Sequence, residues 1–373
     1  MQFIDIMGNF NEKRKTKNEK RYNSLAGVQV AVALSGGVDS AMAAALLRDR
    51  GFQVAGVHLR LAPGGPSREH LDDLARGLGI PWLEADLREE FAREVLDYFA
   101  GEYARGRTPN PCVRCNPAIK FGFLWRLLAD AGVPYLATGH YARLQPGPDG
   151  LLELRRGRDR AKDQSYFLQR LPRELLPHLL FPLGEMTKQE VRRRYADLGL
   201  PGIEDYRESQ ELCFIPRDTP YHEVLRELKG GLGAPGEMVD RGGRVLGRHR
   251  GLEYYTVGQR RGLGVPAAQA YYVVEIRPEA NQVVLGFKEE LFSSGLRAGE
   301  VNWLIAPPAG EIYARAVIRY RHPGVAARVC PEISGAVRVI FETPQTAVAP
   351  GQAVAFYEGE RLLGGGWIEE RSA

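Results

Sequence analysis

The run Ser35-Gly36-Gly37-Val38-Asp39-Ser40 stands between an apolar, β-branched stretch, Val28–Leu34, and a helical pattern, Ala41–Arg50. Two adjacent glycines permit a tight turn whose successive N–H groups face inward as an anion nest. The following helix brings its positive dipole end to the same point, so a phosphate is the natural occupant. Strand, loop and helix in that order call for a parallel sheet with right-handed crossovers. Ser35 and Ser40 can donate to phosphate oxygens, and Asp39 can cap the helix or hold Mg2+. The run lacks the Gly-Lys-Ser/Thr ending that cradles β- and γ-phosphates in kinases and GTPases.

The alternation continues past the loop. Gln53–Leu59, Trp82–Ala85 and Tyr135–Thr138 read as strands, and Leu71–Leu78, Glu89–Tyr103 and Ile119–Ala131 as helices. After about residue 216 the texture changes to short alternating runs between glycine-rich turns. Tyr271–Ile276, Gln282–Leu285, Ala314–Tyr320, Ala326–Val329, Ala336–Phe341 and Ala353–Tyr357 read as strands. The expectation is an α/β domain with a parallel sheet covered on both faces, followed by small all-β modules.

The net charge of +4 comes mainly from residues 1–25, where six basic side chains face three acidic ones. That segment lacks apolar periodicity and reads as a disordered tail or a basic arm for RNA. The body is close to neutral, so an RNA surface must be a local patch. No run of about 20 apolar residues suggests a membrane span, and the polar N-terminus does not read as a secretory signal. Four cysteines are too few for a disulfide scaffold, so a cytoplasmic setting is expected.

Thr108-Pro109-Asn110-Pro111-Cys112-Val113-Arg114-Cys115-Asn116 sets two thiols three apart in a proline-broken stretch read as a loop. Cys213 follows at the border with the β-rich part. A closed zinc site needs four ligands, and no fourth is evident. A redox dithiol and simple packing are further readings. Sulfur delivery suits the residues better, by either of two routes. Cys112, Cys115 and Cys213 could hold a [4Fe–4S] cluster with one iron open for sulfide. Alternatively Cys213 could carry a persulfide, with Cys115 as the resolving nucleophile. Cys330 reads as packing.

SGGVDS resembles the PP-loop of ATP pyrophosphatases, which cleave ATP between the α and β phosphates. Further strings resemble one family within that group, the bacterial tRNA-specific 2-thiouridylases. They are GRTPNPC at 106–112, CNPAIKF at 115–121, ATGHYAR at 137–143, KDQSYFL at 162–168, ELCFI at 211–215, TVGQRRGLG at 256–264 and PGQAVAFYEG at 350–359. The resemblance covers about residues 27 to 371. It implies a PP-loop domain with a doubly wound parallel sheet over 27–216, a small central β domain over 217–292 and a C-terminal β-barrel over 293–373, with residues 1–26 as a tail. It also implies that ATP adenylates O2 of wobble uridine 34, and that sulfur then displaces AMP to give 2-thiouridine. The sulfur would come from a cysteine desulfurase relay or free sulfide.

Carried over motif by motif, the resemblance implies that Ala33, Leu34, Ser35, Gly36, Gly37, Val38, Asp39 and Ser40 hold ATP with Mg2+. Leu59 and Gly139 would also lie at the nucleotide. Cys115 would be the nucleophile and Cys213 the sulfur-bearing cysteine. Asn110, Pro111 and Cys112 would border the target base. His140, Lys162, Asp163, Gln164, Arg319, Tyr320 and Gln352 would contact the tRNA. Two departures stand out. Many relatives carry Asp where this chain has Cys112, which favours the cluster route here. Leu59 replaces the usual methionine on the adenine side.

A base edge in a stacked loop is hard to reach, so the uridine is expected to be splayed into a pocket. Arg248, His249, Arg250, Arg260, Arg261, Arg321 and His322 are further candidates for backbone contact. Two other readings stand beside thiolation of uridine 34: a PP-loop thiolase acting at another tRNA position, and a non-catalytic RNA-binding protein with a structural metal centre.

Overall fold

The computed structural model describes residues 27–201, 212–216 and 218–372. The expected N-terminal tail and Glu211 of the ELCFI string lie outside the described residues.

The α/β part runs β1 (Val30–Ala33), α1 (Val38–Asp49), β2 (Val54–Arg60), α2 (Arg68–Leu78) and β3 (Trp82–Asp86). A long helix α3 follows, with a π-helical stretch Ala92–Leu96 between Arg88–Phe91 and Asp97–Ala104. Helix α4 joins Pro111–Cys115, the π-helical Asn116–Leu124 and Trp125–Asp130. Then come β4 (Tyr135–Ala137), the hairpin β5 (Ala142–Pro146) and β6 (Leu152–Arg156), β7 (Leu179–Leu180) and α5 (Lys188–Asp197). Local chemistry marks the boundaries. Ser67 caps α2 by accepting from the His70 amide, and Gly79 ends it in a left-handed turn at φ 64°. Thr187 and Glu190 form a capping box on α5.

The sheet order is β3-β2-β1-β4-β7, parallel throughout. The successive strands are apolar almost without alternation, as burial on both faces requires. Ala31, Ala55 and Val57 pack toward Phe91 and Val95 of α3 and Ile119, Phe121 and Leu124 of α4. Val30, Val32 and Val54 pack toward α1, α2 and α5 through Met42, Leu71, Leu74, Val191 and Tyr195. The doubly wound reading therefore holds. The chain leaves β1 for β2 on one side and later returns to β4 on the other, which makes β1/β4 the topological switch point where such sheets bind ligands.

Beyond α6 (Tyr221–Lys229), strands β8 (Gly236–Val239), β9 (Val245–His249), β10 (Tyr272–Arg277) and β11 (Gln282–Gly286) form a sheet in the order β10-β11-β8-β9. Strands β12 (Phe292–Trp303), β13 (Ile312–Val317), β14 (Val325–Pro331), β15 (Val337–Thr346), β16 (Ala353–Glu358) and β17 (Arg361–Ser372) close into a six-stranded antiparallel barrel through β12–β17 pairing. Its interior holds Leu296, Ala316, Val329, Val339, Phe356 and Ile368. Among the described residues no helix is long and apolar enough to cross a membrane.

One expectation needs correction, and two further features were not legible in the sequence. The thiols are not in a loop: Cys112 and Cys115 lie in the first turns of α4. Pro111 occupies the first helical position, where a missing N–H costs nothing, and the Asn110 side chain caps the Val113 amide at 3.3 Å. The β-rich part also begins with a helix, α6. Finally, β5 and β6 belong to the barrel sheet, joined to β17 through Arg155 and Arg361.

Candidate active site and RNA-facing surface

Residues 34–37 leave the C-terminal end of β1 at the switch point. Gly36 takes φ +82°, and a Cβ there would strike the Pro66 ring at 2.8 Å, so glycine is required twice over. Ser40 Oγ donates to the Gly37 carbonyl (2.9 Å) and accepts from the Ser35 amide (3.1 Å). It therefore ties the loop to the head of α1. Two residues missed by sequence reasoning brace the same loop: a ring nitrogen of His58 lies 2.9 Å from the Leu34 carbonyl, and one of His70 lies 2.8 Å from the Gly36 carbonyl. Leu34 and Val38 are buried core residues, so any nucleotide contact there falls to their backbone. Leu59 sits half-buried on β2, opposite Ala85 of β3.

Asp39 is held by two side chains from other parts of the chain. Lys188 Nζ of α5 lies 2.6 Å from both of its carboxylate oxygens, and the Tyr141 hydroxyl donates to it at 2.8 Å. Among the described residues its carboxylate is thus already met by a lysine from another element. Nothing in a strand–loop–helix pattern signals a lysine 149 residues away.

The segment after β4 closes the site. Gly139 lies against the loop backbone: a Cβ there would be 2.8 Å from the Asp39 carbonyl carbon and 3.0 Å from the Ser40 nitrogen. His140 follows, buried, with Nδ1 2.7 Å from Thr138 Oγ1. Burial, and then the positive charge of Lys120, push its pKa well below the usual imidazole value, so the ring is neutral. Its ring centroid is 6.0 Å from that of Phe121 on α4. This contact connects the nucleotide side to the thiol helix.

On that helix Cys115 is buried and Cys112 half-buried; Cys213 is exposed beyond α5. Burial pushes Cys112 up to about 11 and Cys115 up to about 12; Cys213 is open at its surface, but the protein packed around its thiol raises it too. Cys213 lies within electrostatic reach of both helix thiols, so the fold gathers the three in one region. Among the described residues no three His, Cys, Asp or Glu side chains are drawn tightly enough around one point for a single metal ion. The three thiols supply the donor chemistry that an iron–sulfur cluster takes.

The barrel clamps the approach to α4. Gln352 Nε2 donates to the carbonyls of Thr108 and Pro109, both at 3.1 Å, and the Thr108 amide donates to the Pro350 carbonyl at 2.9 Å. Gln352, expected at the RNA, thus fixes the residues leading to Asn110 and Cys112. Asp163 is likewise turned inward: it is buried and accepts from the Gly157 and Ser165 amides, Ser165 Oγ and Arg156. Gln164 Oε1 accepts from the Tyr141 amide, so this segment braces the strand-β4 loop. Lys162, by contrast, is half-buried. Arg319 donates to the Thr346 carbonyl, and the Tyr320 ring lies 4.5 Å from that of Phe167. Between these two segments opens a cavity of about 240 Å³ lined by Arg156, Arg160, Tyr166, Tyr320, Arg321 and His322. The cavity therefore brings Asp163 and Tyr320 together, between a basic wall of Arg156, Arg160 and Arg321 and an aromatic one of Tyr166, Tyr320 and Tyr357.

Sequence comparison gives three consecutive family matches. The tRNA methyl transferase HUP domain covers residues 28–217, the tRNA methyl transferase PRC-barrel domain 228–287, and the aminomethyltransferase beta-barrel domain 293–368. The tRNA-specific 2-thiouridylase MnmA of Geobacter metallireducens is 46% identical over 357 residues, covering 91% of this chain and 96% of the relative. The Carboxydothermus hydrogenoformans protein of the same name is 46% identical, covering 92% and 98%. That of Acidithiobacillus ferrooxidans is 44% identical, covering 92% and 99%.

Proposed function

Since the chain belongs to the family of the tRNA-specific 2-thiouridylases, we propose that it is an ATP-dependent tRNA sulfurtransferase acting on uridine 34. In this reading O2 of the base is adenylated, and sulfur then replaces it, releasing AMP and pyrophosphate. The observation that carries the reading is the continuous path from the glycine loop, through Gly139 and His140, to the helix bearing Cys112 and Cys115. Activation of an oxygen and delivery of sulfur must occur at one carbon, and this path joins the two chemistries.

The N–H groups of the loop and the head of α1 would hold the pyrophosphate that leaves on adenylation. Mg2+ would arrive with the ATP phosphates, and Asp39 would have to release Lys188 to ligate it. Asn110, capping α4, and Pro111 would border the base; His140, neutral, can accept or donate a hydrogen bond without bringing charge. Lys162, Arg319 and Tyr320 would meet the RNA, while Asp163, Gln164 and Gln352 act behind them by fixing loops. Cys112, Cys115 and Cys213 would hold a [4Fe–4S] cluster, which when bound supplies an iron able to carry sulfide. In the persulfide alternative, Cys213 carries the sulfur and the Cys115 thiolate attacks Cys213 Sγ; the persulfide S–S bond breaks and the hydrosulfide released adds to C2 as AMP leaves. The resulting disulfide then requires a dithiol reductant.

The test uses unmodified tRNA transcripts, ATP, Mg2+ and a sulfur donor, with thiolated RNA read by mercury-gel retardation and with AMP and pyrophosphate counted. The expected result is one AMP per thiolation, and no product from a transcript in which position 34 is cytidine. Thiolation of that transcript would redirect the reading to another position. Unimpaired thiolation by both Cys115→Ser and Cys213→Ser would reject the sulfur route.

A further inference from the structure

The π-helical stretch Asn116–Leu124 has a consequence at Lys120. Residue i+5 of a π-turn stacks almost over residue i, because the hydrogen bonds run between them. On a 3.6-residue α-turn five residues would carry Lys120 about 140° round the helix from Cys115, toward the opposite side. Cys115 is the N-cap residue of this stretch and Lys120 lies five residues on, so the π geometry swings the lysine back to the thiol face. Lys120 is half-buried and, among the described residues, has neither a hydrogen bond nor a carboxylate partner. Its charge acts on four groups from three parts of the chain. It favours the ionised forms of Cys112, Cys115 and Cys213 and works against protonation of His140. It therefore stands between the thiols and the loop that backs the nucleotide site. A half-buried cation without a counter-ion at the meeting point of two reacting groups calls for an anionic occupant.

We propose that Lys120 is a catalytic residue of the sulfur-transfer half-reaction, its ammonium group touching the attacking sulfur and the oxygen that leaves with AMP. This rests on the thiouridylase reading above and adds a residue to it. With hydrosulfide as donor, sulfur adds to C2 of the adenylated uridine. The C2–O2 bond breaks with its electron pair on the departing AMP, and the proton carried by sulfur ends on N3. No oxidant or reductant is consumed. Both the entering and the leaving atom are anionic, and one fixed ammonium group offsets charge on each without giving up a proton.

The test follows the two half-reactions separately in the anaerobically purified full chain, with unmodified tRNA, ATP and sodium sulfide. Pyrophosphate release without sulfide reads adenylation; single-turnover thiolation reads sulfur transfer. Lys120→Met is expected to slow sulfur transfer on the order of 10²-fold, the usual loss of one preorganised charge-stabilising donor. Pyrophosphate release should stay within about threefold. Lys120→Arg should restore most of the transfer rate, since it returns the charge. Transfer by Lys120→Met at the wild-type rate would overturn the proposal. So would a parallel fall of both half-reactions with a lowered Tm and no rescue by arginine, which would mark a packing role. A wild-type protein that forms no thiouridine would instead overturn the functional reading itself.

Discussion

Gly139→Ala isolates the junction between the strand-β4 loop and the glycine loop. Gly139 is not among the residues with left-handed φ, so alanine suits its backbone and only space is at issue. The new methyl would meet the Asp39 carbonyl carbon at 2.8 Å, its oxygen at 3.0 Å and the Ser40 nitrogen at 3.0 Å, where ordinary contact lies at 3.4–4 Å. All three atoms are main chain, so no side chain can swing away. The loop must retreat by roughly 0.5–1 Å, an overpacking that costs about 1–3 kcal/mol. In a fold of this size that lowers Tm by roughly 1–4 °C. The larger effect is on activity, because the displaced amides belong to the nest that receives pyrophosphate. A misplacement near 1 Å costs on the order of 10²-fold in rate. The assay is tRNA-dependent pyrophosphate release under saturating ATP, alongside thermal melting and tRNA gel shift. Release should fall about 10²-fold with tRNA affinity unchanged. An alanine variant with wild-type release and melting would refute the steric argument.

Three further outcomes are expected. Lys188→Met should lower the urea-unfolding free energy by about 2 kcal/mol, less than for a fully buried pair because Asp39 is 27% exposed; in a double-mutant cycle with Asp39→Asn the effects should be less than additive. His140 has a folded pKa below its unfolded value near 6.5, so its contribution is complete above that pH and is lost as pH falls toward the folded pKa. Between pH 6.5 and 5 wild type should therefore lose up to about 1.4 kcal/mol per pH unit more than His140→Gln, measured by denaturation at each pH. Anaerobically purified wild type should contain about four irons and four acid-labile sulfides per chain, lost in Cys112→Ala; iron-free protein that thiolates tRNA from a persulfide donor would return the sulfur route to Cys213 and Cys115 alone.

What the sequence displayed and what it hid divide along physical lines. The parallel sheet was legible because β1, β4 and the first half of β2 are continuous apolar runs and strands alternate with helical stretches. The glycine loop was legible because its chemistry is local. Strand β17 was not: Gly364, Gly365 and Gly366 argue against a strand on propensity alone. In the barrel those glycines sit where a Cβ would strike the backbone of Asn302, Val354 and Gly299, so close strand approach, a long-range fact, selects them. The same holds at the site. Gln352 and Asp163 sit in motifs that suggest contact with RNA, yet their polar atoms are turned onto Thr108, Pro109, Gly157 and Ser165. A motif records that a residue matters and leaves open whether it touches substrate or holds the residue that does. Lys120 is the converse. It reads as an ordinary helical lysine until the π-helical register turns it to the thiol face, and no propensity scale carries that register. The residues whose roles were hardest to read are thus those set by backbone geometry around them, and the functional tests of greatest value fall on them: Gly139 for adenylation, Lys120 for sulfur transfer.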